Sequence, residues 1–347
     1  MTTGIADNIG YMVDVVNSLR PTIGEEVFHY VSMDKATYTL RPDGDINCGH
    51  SNFMNDHLES WQGCLEFLKY IKKRLSPAPY QVLETNLREN SAVAKLTTSG
   101  YSCFMPYIFC VMPEKDSVYQ WRNYTDKQKG GYCFAFNLNL LRETIRCRNA
   151  RYGTFSSMFL APCFYIGEDD DLIDTFMNTF INVIARAELK DIEANFGTTK
   201  GIPSILNVIS AIFTLAPLFK DKKWKREQEY RLILKKSPVI VGERYVRSHL
   251  SDICEHPFNL MSSITISPHG NQAELLNNLR SQIAIPDGRV FVSTVDRRIA
   301  DYYITKENID DTYEEYVLGE IKNGRGKSII SQEEFRSSHS EEGSNHV

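Results

Sequence analysis

The sequence predicts an α+β fold with helical insertions, and three observations carry that prediction. Strand-length apolar runs and amphipathic helical stretches follow one another without regular β-α alternation. No internal repeat of fixed period is present. At 347 residues, 42% of them hydrophobic, the chain has the mass for one large domain with insertions or for two ordinary ones.

The elements follow from local pattern. Residues 7–19 place Ile9, Met12, Val13, Val16 and Leu19 on one helical face, ended by Pro21 and Gly24. Val27 to Val31 is a short strand, followed by Ser32 and Asp34 as capping side chains for the turn K-A-T-Y-T-L. Arg41 to His50, containing D-G-D, predicts a loop. Asn55 or Asp56 caps a long helix with Leu58, Trp61, Leu65, Leu68, Ile71 and Leu75 inward, a basic end at 72–74, and Pro77 and Pro79 as its stop. Tyr101–Met112, Gly131–Phe136 and Phe159–Ile166 are β-prone apolar runs, with a helical turn at Tyr119–Tyr124.

Asp169 to Asp171 caps a helix reaching about Leu189. The most apolar segment, Ile205–Phe219, is shorter than the ~20 residues a membrane span needs and predicts a buried core helix over about 202–216, stopped by Pro217. Strands follow at 229–235 and 262–267, a helix at 271–283 and a strand at 289–293. The organisation is therefore an N-terminal helical segment (1–24), one α+β domain (25–323) with helical insertions at about 55–76 and 170–220, and a disordered polar tail (324–347).

Composition narrows the function. The net charge of −5 argues against a strongly basic nucleic-acid cradle and leaves room for a local basic patch. Eight cysteines, none in C-x-x-C and several inside apolar runs, fit a reduced cytoplasmic protein. The N-terminus lacks a basic region followed by an apolar one, so no signal peptide and no membrane partner are expected. Phosphate-binding glycine loops, H-E-x-x-H and G-x-S-x-G are absent, and no histidine pairs with cysteine at metal-ligand spacing, so no metal is expected.

Four blocks carry chemistry. Phe28-His29-Tyr30-Val31-Ser32 puts His29 and Tyr30 on opposite strand faces. Asn55, Asp56 and Glu59 fit a capping box. Trp121 and Tyr124, three apart, share a helix face ahead of the turn into G-Y-C-F-A-F; they are core, or they wall a pocket for a planar ligand. In W-K-R-E-Q-E-Y-R, Glu227 and Glu229 stand two apart at the mouth of a strand and would share a face. They form either a charge ladder with Arg231 or an acid pair that stabilises a developing cation.

The blocks W-x-x-Y…G-x-C-x-x-F (Trp121, Tyr124, Gly131, Cys133, Phe136) and W-x-x-E-x-E-Y-R (Trp224, Glu227, Glu229, Tyr230, Arg231) resemble a bacterial family known only as a domain of unknown function. His29–Ser32, Asn55-Asp56-x-x-Glu59 and Ile264–Gly270 extend that resemblance over roughly residues 25–295. The order His29…Tyr124…Glu229 is more distantly similar to ADP-ribosyltransferases. That likeness implies a mixed, mostly antiparallel split sheet and NAD as substrate. It implies that His29, with Tyr30 and Ser32 on its strand, binds the nicotinamide ribose. Tyr124 stacks on nicotinamide, with Trp121 or Tyr38 as alternatives. Glu229 stabilises the oxocarbenium-like transition state, and Glu227 activates the acceptor.

The resulting expectation is an NAD-dependent ADP-ribosyltransferase acting as a toxin or anti-phage defence effector. Its acceptor would be RNA or a protein, and an antitoxin would be its neutralising partner. The alternatives are a non-catalytic ligand-binding module and an NAD glycohydrolase.

Overall fold

A computed structural model describes residues 5–20, 24–39, 45–51, 59–96, 106–152, 158–234, 245–249, 260–282 and 287–295. The chain runs α1 (Ile5–Leu19), β1 (Glu26–Ser32), α2 (Met33–Thr39), β2 (Asp45–His50), α3 (Glu59–Ile71), α4 (Pro77–Leu96), β3 (Tyr107–Val111), α5 (Val118–Tyr124), β4 (Gly131–Asn137) and α6 (Leu138–Tyr152). It continues with β5 (Met158–Pro162), β6 (Phe164–Ile166), α7 (Asp170–Thr179), α8 (Arg186–Ala194), α9 (Ile202–Leu215), β7 (Phe219–Asp221), β8 (Tyr230–Leu234), β9 (Tyr245–His249), β10 (Met261–Ile266), α10 (Gln272–Gln282) and β11 (Val290–Val292). This is an α+β architecture with mixed and antiparallel sheets.

One sheet has the order β1-β4-β10-β11, antiparallel except for the last pair. The other, β5-β8-β3-β2-β9, is antiparallel throughout. β6 and β7 form a small parallel pair. Just past the end of β3 the two large sheets join: Phe28 and Met112 exchange backbone hydrogen bonds of 2.7 and 2.8 Å.

Alternation along the strands decides what each face covers. Val27, Val31, Phe134, Phe136 and Ile264 of the first sheet pack on Phe109, Val111, Leu160, Leu232 and Leu234 of the second. Phe159, Ala161 and Ile233 turn the other way, into a core built from α1, α3, α4, α7, α8 and α9. On the first sheet's outer face, Phe28, Tyr30, Cys133 and Ala135 pack with Met112 and with Trp121 of α5.

Gly63 of α3 has a packing role. A Cβ there would lie 2.1 Å from the Ala216 carbonyl oxygen, so only glycine lets α3 press onto the backbone after α9.

Several expectations are corrected. α3 does end before Pro77, but Pro77 also opens α4, a helix with no predicted counterpart, because proline suits the first helical turn, where its missing N–H has no partner to lose. The loop expected over residues 41–50 contains β2. The run Phe159–Ile166 breaks into β5 and β6, which belong to different sheets. The helix expected to reach Leu189 is interrupted by a π turn, Phe180–Ile184, between α7 and α8. α6 and β9 had no predicted counterpart. The apolar helix falls where expected, Ile202–Leu215; counted with its flanking 3-10 turns, Thr199–Leu218 is long and apolar enough to cross a membrane, and 61% of its apolar window is buried within the protein. The Asn55 and Asp56 cap, residues 101–105 and the polar tail lie outside the described residues.

Candidate active site around a buried acid pair

The acid pair is assembled from three short pieces. β6 and β7 run parallel and set Lys220 beside Tyr165. Asp221 then caps a 3-10 turn, Lys222–Glu227, by accepting the Lys223 N–H at 2.9 Å. Gln228 closes that turn in the left-handed region, φ 43°, and hands the chain to β8. Glu227 and Glu229 therefore do not sit on one strand face, as the i, i+2 spacing predicts. Glu227 ends a turn and Glu229 precedes a strand, and the left-handed residue between them folds the two carboxylates onto one cation.

That cation is Lys220. Its Nζ donates to Glu227 Oε2 and to Glu229 Oε2, both at 2.5 Å. Its ammonium also lies 5.6 Å from the centroid of Trp224, within cation–π range. Arg231 Nε donates to Glu229 Oε1 at 2.7 Å, and its Nη1 donates to the Pro217 carbonyl behind α9. The Glu229 backbone is held as well: its N–H donates to Tyr165 Oη at 2.9 Å and its carbonyl accepts from the Cys163 N–H at 2.9 Å. Glu229 and Arg231 are each 1% exposed, and Glu227 is 3% exposed.

Buried charges need partners, and the two acids divide theirs unequally. Burial pushes Glu229 up, but Arg231 and Lys220 more than offset it and hold its carboxyl well below the usual range. Burial dominates at Glu227 and the Glu229 charge adds to it, with Lys220 opposing both, so its carboxyl is pushed up to about 7. One acid is a fixed negative charge. The other exchanges a proton near neutrality.

Tyr124 and Cys110 give the pair its half-buried side. Tyr124 Oη donates to Glu227 Oε1 at 3.0 Å, and burial beside Glu229 and Glu227 keeps the phenol protonated. The Cys110 thiol is hydrogen-bonded to Glu229; burial first, and then that carboxylate, raise its pKa well above the ordinary value. Tyr124 and Cys110 are both only partly covered.

The other expected residues are placed differently. His29 Nδ1 meets the Cys110 carbonyl at 2.8 Å, and its ring packs on Phe109 with centroids 4.1 Å apart. It thus reaches Cys110 from the face between the sheets, whereas the acids reach the same residue from the opposite face of β3. Burial lowers its pKa to about 4, so His29 is a neutral imidazole at pH 7. Tyr30 is buried, donating to the Glu114 carbonyl and accepting the Ser117 N–H, both at 2.9 Å. Trp121 is fully buried, edge-on to Tyr30 at 4.8 Å, with Nε1 donating to Asp116. These two aromatics seat α5 on β1 and so aim Tyr124; neither presents a free ring face. Ser32 ends β1 opposite Gly131, away from the acids in register.

Sequence reasoning missed Lys220, Tyr165 and Cys110. A lone cation closing the apolar run A-P-L-F-K-D is a signal for Lys220, because such a charge is buried only when paired. Nothing local in the sequence marks Tyr165 or Cys110. Among the described residues, no group of three or more His, Cys, Asp or Glu side chains is arranged to hold a metal.

A family model described as a protein of unknown function (DUF2971) matches residues 120–232. The matched span runs from α5 into β8. It contains Tyr124, Lys220, Glu227, Glu229 and Arg231, together with both of the most specific sequence blocks, and excludes His29 and Cys110. No curated protein and no solved structure matches the chain.

Proposed function

We propose that the acid pair serves NAD-dependent ADP-ribosyl transfer, the activity suggested by the order His29…Tyr124…Glu229. The observation that carries it is the joining of a half-buried Tyr124 to two carboxylates of unequal proton affinity through Glu227 and Lys220.

Cleavage of the bond between nicotinamide and ribose sends the bonding pair out with nicotinamide and leaves positive charge on the ribose. A fixed, desolvated carboxylate such as Glu229 stabilises that charge without reorganising. The acceptor oxygen or nitrogen then attacks the anomeric carbon. Its proton passes to Glu227, directly or through the Tyr124 hydroxyl, since a carboxylate with pKa near the working pH is suited to take it. His29 acts as a positioning residue, fixing β3 at Cys110.

Such an activity fits a cytoplasmic toxin or anti-phage effector that modifies RNA or protein and is held in check by an antitoxin. The test is incubation with labelled NAD. Nicotinamide release with label transfer is expected, falling at least about 100-fold in Glu227→Gln and Glu229→Gln, the scale of general-base and electrostatic contributions. Absence of both products from the wild type, or unchanged turnover in both variants, sinks the proposal. Release without transfer identifies a glycohydrolase instead.

A second reading is favoured by one specific observation. Glu229 is already saturated by Lys220 and Arg231, and His29 lies across β3 from it. A ligand-binding module with a structural charge cluster has that arrangement. It predicts NAD binding, or binding of another ligand, without turnover.

A further inference from the structure

Far along the chain from the acid pair, the helical layer carries a second concentration of charge. α7 does not continue directly into α8. Phe180–Ile184 winds as one π turn, with the Ala185 N–H donating to the Phe180 carbonyl at 3.0 Å. Such turns redirect side chains relative to α spacing and are frequent at functional sites. Here the turn lines a groove of about 470 Å³, within the range of small-molecule sites.

The groove has an apolar floor and a cationic rim. Ile181 and Leu189, both buried, form the floor. Arg74, just past the end of α3, faces Arg186 and Lys190, which lie one helical turn apart on α8. All three cations are exposed, and among the described residues none forms an ion pair or a side-chain hydrogen bond. The one acid on the rim, Glu193, accepts the Ser76 N–H at 3.2 Å and so helps join α8 to the start of α4. Three cations with no ion pair among the described residues thus surround one concavity against the single carboxylate of Glu193, an excess of positive charge that an anionic ligand would offset, in a chain whose net charge is −5.

We propose that this groove binds a small phosphate-bearing ligand of nucleotide size. Arg74 and Arg186 offer planar forks that match phosphate oxygens, and Lys190 adds a third positive point. Ile181 and Leu189 give the ligand's ring a dry surface. Glu193 closes one end of the row and repels a continuing chain of phosphates, so a polymer backbone fits less well than a compact ligand.

The test titrates the full chain with ADP and, separately, with inorganic pyrophosphate by calorimetry. The same titrations are run on Arg74→Ala, Arg186→Ala and Lys35→Ala. The two arginines are exposed, so their variants are expected to melt like the wild type, and the melting curves check this. ADP binding about tenfold weaker in each arginine variant and unchanged in Lys35→Ala, an exposed residue of α2 outside both sites, is the expected result, with pyrophosphate binding more weakly than ADP and lost in the same variants. Wild-type protein that takes up neither probe at millimolar concentration, or arginine variants that bind as tightly as the wild type, overturns the proposal. So does single-stranded RNA whose binding is lost in both arginine variants while ADP fails to bind.

Discussion

The acid site and the α8 groove use the same charged residue types in opposite ways. Around Glu229, two cations and two carboxylates are buried together and satisfy one another. In the groove, Arg74, Arg186 and Lys190 remain in water and satisfy nothing in the described chain. The difference teaches where charge is structural. A buried cluster is strongly coupled, because removing one member strands the rest in a poor solvent. An exposed cation is nearly free of its neighbours, and it stays available to a ligand.

The largest break in this comparison is expected from Arg231→Met. It removes one of the two cations that hold Glu229 and the donor to the Pro217 carbonyl, and should cost about 3–5 kcal/mol of unfolding free energy in a denaturant titration. Replacing Arg231 and Glu229 together by apolar residues should recover much of that loss; a double variant as unstable as the sum of the singles would mean the pair is not coupled.

Next in size is a pH effect. Glu227, raised to about 7, is protonated in the folded state where it is ionised in the unfolded state, so its contribution falls as pH rises from 4.5 to 7. Glu229 is lowered, so its contribution is present above 4.5 and is lost as pH falls below that value. His29, lowered from 6.5 to about 4, gives a contribution that is lost as pH falls through that interval. Glu227 and His29 therefore oppose one another over much of the same range. Glu227→Gln should steepen the rise of melting temperature between pH 4.5 and 6.5, and an unchanged slope would deny Glu227 its raised pKa.

The smallest effect belongs to the groove. Arg186→Ala should alter stability by no more than about 0.5 kcal/mol in the same titration, since the side chain is exposed and unpaired.

The fold was more legible than the site. β1, β4, β8 and β10 read as short apolar runs because both faces of each strand are covered, and the helices α1, α9 and α10 follow helical periodicity. α6 escaped because L-N-L-L-R-E-T-I-R-C-R-N-A-R-Y carries polar residues around most of its circumference. β2 escaped because D-G-D reads as a turn, while its strand is fixed by pairing with β3 and β9, which local sequence cannot reveal. At the site, Glu227, Glu229 and Tyr124 were found and do meet. An i, i+2 spacing puts both acids on one face only when Gln228 is extended, and the left-handed turn there is a tertiary outcome. Arg231 does take Glu229 as a ladder would. Lys220, which gathers both acids, stands seven and nine residues away, on a strand whose position depends on its pairing with β6.

Gly63 connects a helix surface to the chemistry in a way that bears on how the chain tolerates change. It lets α3 rest on Ala216, whose neighbour Pro217 presents the carbonyl that clasps Arg231, which in turn holds Glu229. The path from helix backbone to acid passes through a single peptide unit. Much of α3 can vary without touching that path. A single methyl group at position 63 cannot, because it displaces the Ala216 backbone itself, and the acid pair would register a change made two layers away.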